Sequence, residues 1–191
     1  MNSNVLYETV NIATMLPFLA VTYVVKPIPL KIMLVIFFIS SIIQHASKLD
    51  AAYIFDCATQ VAVIMTITWL ISNNNTSNNT NKNIQVVALV IQTIVLCNLA
   101  RYLFTNKSKT VDSSRNTDFK LEINVFFAYA ALFIFAFPKL SRITIMLNMT
   151  CLVLFAVSAY NCVEFCAISW PLIHLTGAGT VYFMLKDLQM I

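Results

Sequence analysis

Charged residues and glycines are scarce in this chain of 191 residues. Charged side chains make up 10% of the sequence, hydrophobic residues make up 59%, and there are two glycines. A soluble domain usually carries about 25% charged residues, so the deficit excludes a water-soluble globule. The shortage of glycine excludes a collagen-like chain. The net charge of +4 does not indicate nucleic-acid binding, because the basic residues lie at the ends of apolar stretches and not in one patch.

The apolar residues form long stretches that predict an all-α, multi-pass membrane protein with a single transmembrane domain over 1–191. A membrane-crossing helix needs about 20 apolar residues. Stretches bounded by proline, charge or polar clusters predict a seven-helix transmembrane bundle. The spans are about 6–25, 29–47, 51–72, 84–104, 121–137, 141–161 and 164–186. The polar boundary between the last two spans, near 161–164, is the weakest. The alternative is therefore six spans, of which the last is one long kinked helix.

The basic residues do not fix the orientation of these spans. Cytoplasmic loops normally carry an excess of Lys and Arg, but here each side of the predicted bundle receives six. One side has Lys26, Lys31, Lys82, Lys139, Arg142 and Lys186, and the other has Lys48, Arg101, Lys107, Lys109, Arg115 and Lys120. We expect an integral membrane protein, in an endomembrane such as the ER or Golgi if the chain is of eukaryotic type.

A few ionisable side chains lie inside the predicted spans, where they are costly and usually functional. His45 and His174 are the two histidines of the chain, and Asp56 lies in the third span. Ser41 and His45 are four residues apart and share one helix face. The tight turn at 48–50 folds the third span back antiparallel, so His45 and Asp56 can converge with Ser41 about one turn deeper. His174 enters from the same side.

These residue types are suited to a zinc site. Imidazole nitrogens and carboxylate oxygens bind zinc, and a catalytic site keeps one position open for water. The opposing interpretation is a cluster of polar side chains that hydrogen-bond one another for packing and hold no ion. The sequence predicts His45, His174 and Asp56 as metal-binding residues and Ser41 and Asp56 as catalytic residues.

The spacing also resembles that of a known superfamily. Ser41-x-x-x-His45, followed by Asp56 and a histidine in the last span, is similar to the alkaline ceramidase and adiponectin-receptor-like superfamily of seven-span membrane hydrolases. In that superfamily a serine and a histidine on the second helix, an aspartate on the third and a His-x-x-x-His on the seventh build a zinc site. The stretch 174–179 and the motif Glu8-x-x-Asn11 resemble the ceramidase branch.

The chain departs from the family at one expected zinc ligand. Trp170 stands where the first histidine of His-x-x-x-His is expected, and Pro171 follows it. Asp56 could replace the missing ligand directly, or it could orient the site without touching the metal. Cys162 and Cys166 are less suitable, because Cys166 lies about 12 Å along the helix from His174 at 1.5 Å per residue. Calcium is not expected, since only Glu8 remains of the family's acidic N-terminal cluster.

The resemblance implies a zinc-dependent hydrolase of lipid amides with a ceramide-like substrate reached from the bilayer. Bound zinc would activate a water, and Ser41 would hydrogen-bond that water or the developing oxyanion. The alternative is a catalytically degenerate seven-span protein that binds lipid or a membrane-protein partner, which Trp170 favours. An ion or proton carrier using Asp56 is the third hypothesis, and it is weaker because no further charged residues continue a path to the far side.

Overall fold

The computed structural model describes residues 3–47, 49–73, 79–105, 115–160 and 166–191. Over these ranges the regular elements are helices, as the sequence predicts. The helices are α1 (Ser3–Thr14), α2 (Leu16–Val24), α3 (Ile28–Ser47), α4 (Asp50–Asn73), α5 (Asn79–Thr105), α6 (Arg115–Ala136), a 3-10 turn (Phe137–Lys139), α7 (Arg142–Tyr160) and α8 (Cys166–Asp187). The expectation of an all-α chain is therefore confirmed for the described residues.

Helix boundaries follow the proline and polar signals of the sequence. Pro27 precedes the first residue of α3, and Pro29 falls in its first turn, where a missing N–H leaves no bond unmade. Pro138 lies in the 3-10 turn that follows α6. From α3 onwards the helices fall within a few residues of the predicted spans. Proline and polar tracts thus define where these helices begin and end.

The first predicted span, 6–25, is not one continuous helix. It is divided at Met15 into α1 and α2. Pro17, in the first turn of α2, has no N–H to donate to the carbonyl of Ala13, and its ring would clash with that carbonyl in a continuous helix. The chain tightens instead, with Met15 N bonded to Ile12 O at 3.1 Å. Pro17 was the sequence signal for this break.

Three helices of the described chain are long and apolar enough to cross a membrane. They cover Ile28–Ser47, Ala51–Asn73 and Lys82–Tyr102, and shorter apolar helical stretches occur at Thr9–Val24, Ile123–Lys139 and Arg142–Leu154. On α5 the exposed side chains include Val86, Val87, Val90 and Ile94. Such a surface is compatible with a lipid environment, where apolar side chains need not be buried in protein.

The helices cluster into two compact units. One consists of Met1–Phe38 and Lys139–Ile191, and the other of Ile39–Pro138, so the boundary falls inside α3. In the first unit α7 packs on α8, and α1 and α2 also contact α8. In the second unit α4, α5 and α6 pack on one another. The predicted single transmembrane domain stays a prediction.

The second unit is built around apolar side chains of α4. Val61 and Ile67 are almost fully buried there, as are Leu99 of α5 and Leu132 of α6. Burying a side chain of this kind contributes roughly 1.5–3 kcal/mol when the alternative is water. In lipid, close packing has to hold such helices together instead. This packed core carries α4, on which the candidate site is built.

Candidate functional site

A buried carboxylate lies at the centre of the candidate site. Asp56 of α4 is only 5% exposed. Its Oδ1 accepts hydrogen bonds from Ser41 Oγ at 2.6 Å and from Ser40 Oγ at 3.0 Å, and its Oδ2 accepts one from Gln60 Nε2 at 2.8 Å. Three donors aimed at one carboxylate stabilise a negative charge that would otherwise be very costly to bury.

The helix geometry explains why these side chains meet. Ser41 lies six residues before the end of α3, and Asp56 lies six residues after the start of α4. At 1.5 Å per residue both positions are about 9 Å from the turn. Asp56 and Gln60 are four residues apart and share one face of α4. The short connection between the two helices therefore brings Ser41 and Asp56 to the same depth.

Two residues that the sequence analysis did not name extend the cluster. Ser40 Oγ lies 2.7 Å from Thr59 Oγ1, and Thr59 in turn donates to the backbone carbonyl of Asp56 at 2.8 Å. Ser40 and Thr59 are both buried. Serine and threonine are so common in membrane helices that neither stands out in the sequence. The available sequence signals were that Ser40 is adjacent to Ser41 and that Thr59 follows Asp56 by three residues.

His45 belongs to the same unit as this cluster. It is half-buried in the last turn of α3, one turn beyond Ser41. It lies close enough to Asp56 for the two side chains to interact electrostatically. The structure thus joins Ser41 to Asp56 by a hydrogen bond and places His45 one turn further along α3. Their catalytic and metal-binding roles remain predictions.

His174 lies in the first unit, on α8. It is half-buried, and its Nδ1 is 3.0 Å from the hydroxyl of Thr14 at the end of α1. Three residues further along α8, Gly177 faces Phe18 of α2. A Cβ placed on this glycine would lie 3.6 Å from the tip of the Phe18 ring. That is ordinary van der Waals contact, so this glycine packs against α2. A meeting of His174 with His45 and Asp56 stays a prediction.

The zinc hypothesis can be compared with the donor groups present. Among the described side chains, no three His, Cys, Asp or Glu residues form a group that could hold a metal ion. The two imidazoles and the carboxylate nevertheless fit zinc by their chemistry. A carboxylate has about four acceptor positions, so three donors leave Asp56 room for one more partner. The side chains of Glu8, Cys162, Cys166 and Trp170 lie outside the described residues.

Comparison of the chain with models of known protein families, with curated proteins and with solved structures finds no match. The likeness to alkaline ceramidases therefore depends on the residues named in the sequence analysis. The described residues contribute a helical fold with a buried Ser–Asp pair between two helices of membrane-spanning length.

Proposed function

We propose that the protein is a seven-span membrane hydrolase of lipid amides, similar to alkaline ceramidases, with a ceramide-like substrate. The observation that carries the proposal is the buried hydrogen bond between Ser41 and Asp56, supported by Ser40 and Gln60. A packing role alone would not require a carboxylate at this depth, since neutral polar groups join helices at lower cost. An integral endomembrane location follows from this proposal for a eukaryotic-type chain.

The proposed site uses His45 and His174 to hold zinc, with Asp56 as a further ligand or as the residue that orients the site. Bound zinc would supply Lewis-acid chemistry and a water activated for attack on the amide carbonyl. The three hydrogen bonds that Asp56 accepts favour the orienting role. A carboxylate held by three protein donors has most of its acceptor capacity in use.

The bond to Asp56 also bears on the role of Ser41. A serine hydroxyl carries one proton, and Ser41 uses it to donate a hydrogen bond to Asp56. Its oxygen lone pairs are then available to accept a hydrogen bond from the attacking water. Of the two roles in the sequence hypothesis, orienting the water fits this arrangement better than donating to an oxyanion. Asp56 would fix the direction in which Ser41 acts.

The test combines metal content with turnover in detergent-purified protein. Elemental analysis should give about one zinc per chain in the wild type and none in His45→Ala or His174→Ala. Asp56→Asn and Ser41→Ala should lower ceramide turnover by about 10²–10⁴-fold. Ser72→Ala is the matched control, because this half-buried serine of α4 donates to the Thr68 carbonyl of its own helix at 2.8 Å and lies about 24 Å along the helix from Asp56.

The second candidate function is a degenerate member of the same scaffold that binds lipid or a membrane-protein partner. It is favoured by Trp170 at the expected ligand position and by the lack of a three-ligand group among the described side chains. Well-folded wild-type protein without zinc and without turnover would reject the hydrolase. Crosslinking to a photoactivatable ceramide, lost in Asp56→Asn but kept in Ser72→Ala, would then support lipid binding.

A further inference from the structure

The end of α1 places a threonine hydroxyl beside His174. Thr14 Oγ1 lies 2.8 Å from the backbone carbonyl of Asn11 and 3.0 Å from His174 Nδ1. The carbonyl can only accept a hydrogen bond, whereas the ring nitrogen can donate or accept according to its tautomer. Because the hydroxyl has a single proton, Thr14 can donate in only one of the two contacts.

The break in the helix decides which contact receives that proton. In a continuous α-helix, Asn11 O would accept the N–H of Met15. Here Met15 N bonds Ile12 O at 3.1 Å, because Pro17 prevents the helix from continuing. Asn11 is 1% exposed, and a buried carbonyl without a donor costs about 1–3 kcal/mol. The Thr14 hydroxyl therefore donates to Asn11 O in place of the displaced backbone N–H.

In the remaining contact, between Thr14 Oγ1 and His174 Nδ1, the histidine must be the hydrogen-bond donor. With its own proton committed to Asn11, the Thr14 oxygen can only accept from His174 Nδ1. A neutral imidazole carries one ring proton, so a proton on Nδ1 leaves the lone pair on Nε2. Metal-binding histidines commonly donate their other N–H in this way, which fixes the tautomer and the ring orientation.

We propose that Thr14 is a positioning residue that holds His174 in the Nδ1–H tautomer and so presents Nε2 as the nitrogen that binds the metal. The metal part of this inference rests on the proposed function, whereas the tautomer does not. Pro17 acts through the same chain of contacts, since it creates the break that leaves Asn11 O to Thr14.

The tautomer can be measured without metal or activity. The chain contains two histidines, so protein labelled with ¹⁵N-histidine gives two ring systems, and the His45→Asn variant assigns them. At about pH 8.5, two units above the ordinary histidine pKa of about 6.5, long-range ¹H–¹⁵N spectra of chelator-treated protein should show His174 protonated on Nδ1. Thr14→Val should shift the population towards Nε2–H, and Thr14→Ser should keep the wild-type tautomer.

Zinc titration provides the second readout. Thr14→Val should weaken zinc binding by about 10- to 100-fold, and Thr14→Ser should restore it. A wild-type His174 protonated on Nε2 overturns the role of Thr14 even where zinc binds, and this result needs no variant that folds. Wild-type protein that binds no zinc overturns the metal part alone, while an Nδ1–H tautomer in that protein still supports the positioning contact.

Discussion

At the scale of single residues, the buried polar groups of the described chain differ in whether they are hydrogen-bonded. Around Asp56 every carboxylate oxygen receives a donor. Gln92 of α5 is fully buried as well, but its Oε1 has no hydrogen-bond partner among the described residues. An unpaired buried acceptor is destabilising by about 1–3 kcal/mol. An apolar substitution should therefore lower the stability of the protein in the Asp56 cluster, where donors would lose their acceptor, but not at Gln92.

Replacing Gln92 by methionine should leave the free energy of unfolding unchanged or raise it by about 1 kcal/mol, because an unpaired acceptor disappears. Its Nε2 donates to Thr68 Oγ1 at 2.9 Å, but the Thr68 hydroxyl also donates to the Ile64 carbonyl and stays satisfied. Thr68→Val alone should destabilise the protein, since it removes the nearer of two acceptors of the Gln92 amide and leaves the Ala128 carbonyl at 3.5 Å. Denaturant unfolding in detergent measures both effects.

A double-mutant cycle provides the control for this prediction. In the Gln92→Met background, Thr68→Val should cost clearly less than in the wild type, because the amide that would lose its partner is absent. Equal costs in the two backgrounds would show that the bond contributes nothing. A loss of more than about 2 kcal/mol on Gln92→Met would mean that Oε1 has a partner in the membrane, such as an ordered water.

At the scale of secondary-structure elements, the ends of helices bear most of the specific polar contacts in the first unit. Asp187, the last residue of α8, accepts hydrogen bonds from Ser141 N at 2.7 Å and Thr144 Oγ1 at 2.5 Å at the start of α7. Burial acts to raise the pKa of Asp187, but these bonds and the charge of Lys186 outweigh it and hold the pKa below its ordinary value. The dipole of α7 favours the carboxylate at its N-terminus, whereas the dipole of α8 opposes a negative charge at its own C-terminus, so the hydrogen bonds set the direction of the shift.

This junction should make stability depend on pH in the acid range. Because the folded protein lowers the pKa of Asp187, its stabilising contribution is complete above the unfolded value of about 3.9 and is lost as the pH falls through the folded value. Asp187→Asn should therefore flatten the fall in melting temperature below about pH 4. An unchanged slope in this variant would exclude the junction as a source of acid sensitivity. Asp50, the first residue of α4, is also an aspartate at a helix end. It cannot serve as a matched control for Asp187, because its side chain lies outside the described residues.

The positions of the helices were predictable because prolines and polar residues near their ends mark them in the local sequence. The side-chain contacts between helices were predictable only in part. Pro29 and Pro138 mark the start of α3 and the end of α6. The tight turn after α3 predicted that polar residues of α3 and α4 converge, but it set Ser41 one turn deeper than Asp56, whereas the structure has the two side chains at the same depth. The place of Ser40 beside Ser41 was the only hint of its participation, and it was a weak one because serine is common in membrane helices. The contact of Thr14 with His174 joins residues 160 positions apart and depends on a break that the apolar pattern hides.

At the scale of the whole molecule, the number of membrane crossings is the main open prediction. Within the described part of the chain, three helices are long and apolar enough to cross on their own, and α6 and α7 carry the apolar stretches Ile123–Lys139 and Arg142–Leu154. The helices that carry these stretches have 22 residues in α6 and 19 residues in α7, close to the roughly 20 residues that a crossing needs. Seven crossings would put successive connections on alternating sides, which gives the prediction a geometric test.

Single cysteines at four exposed positions, in a background without the native cysteines, should label in alternation. We expect Leu49→Cys and Phe104→Cys to react with a membrane-impermeant maleimide from one side of sealed vesicles, and Asn83→Cys and Lys139→Cys from the other. All four should react after permeabilisation, which controls for accessibility. If Leu49 and Asn83 label from the same side, α4 does not cross. If Lys139 labels with Phe104, α6 does not cross. Either result would reject the seven-span arrangement and the zinc site that depends on it, because His174 would no longer enter from the side of His45 and Asp56.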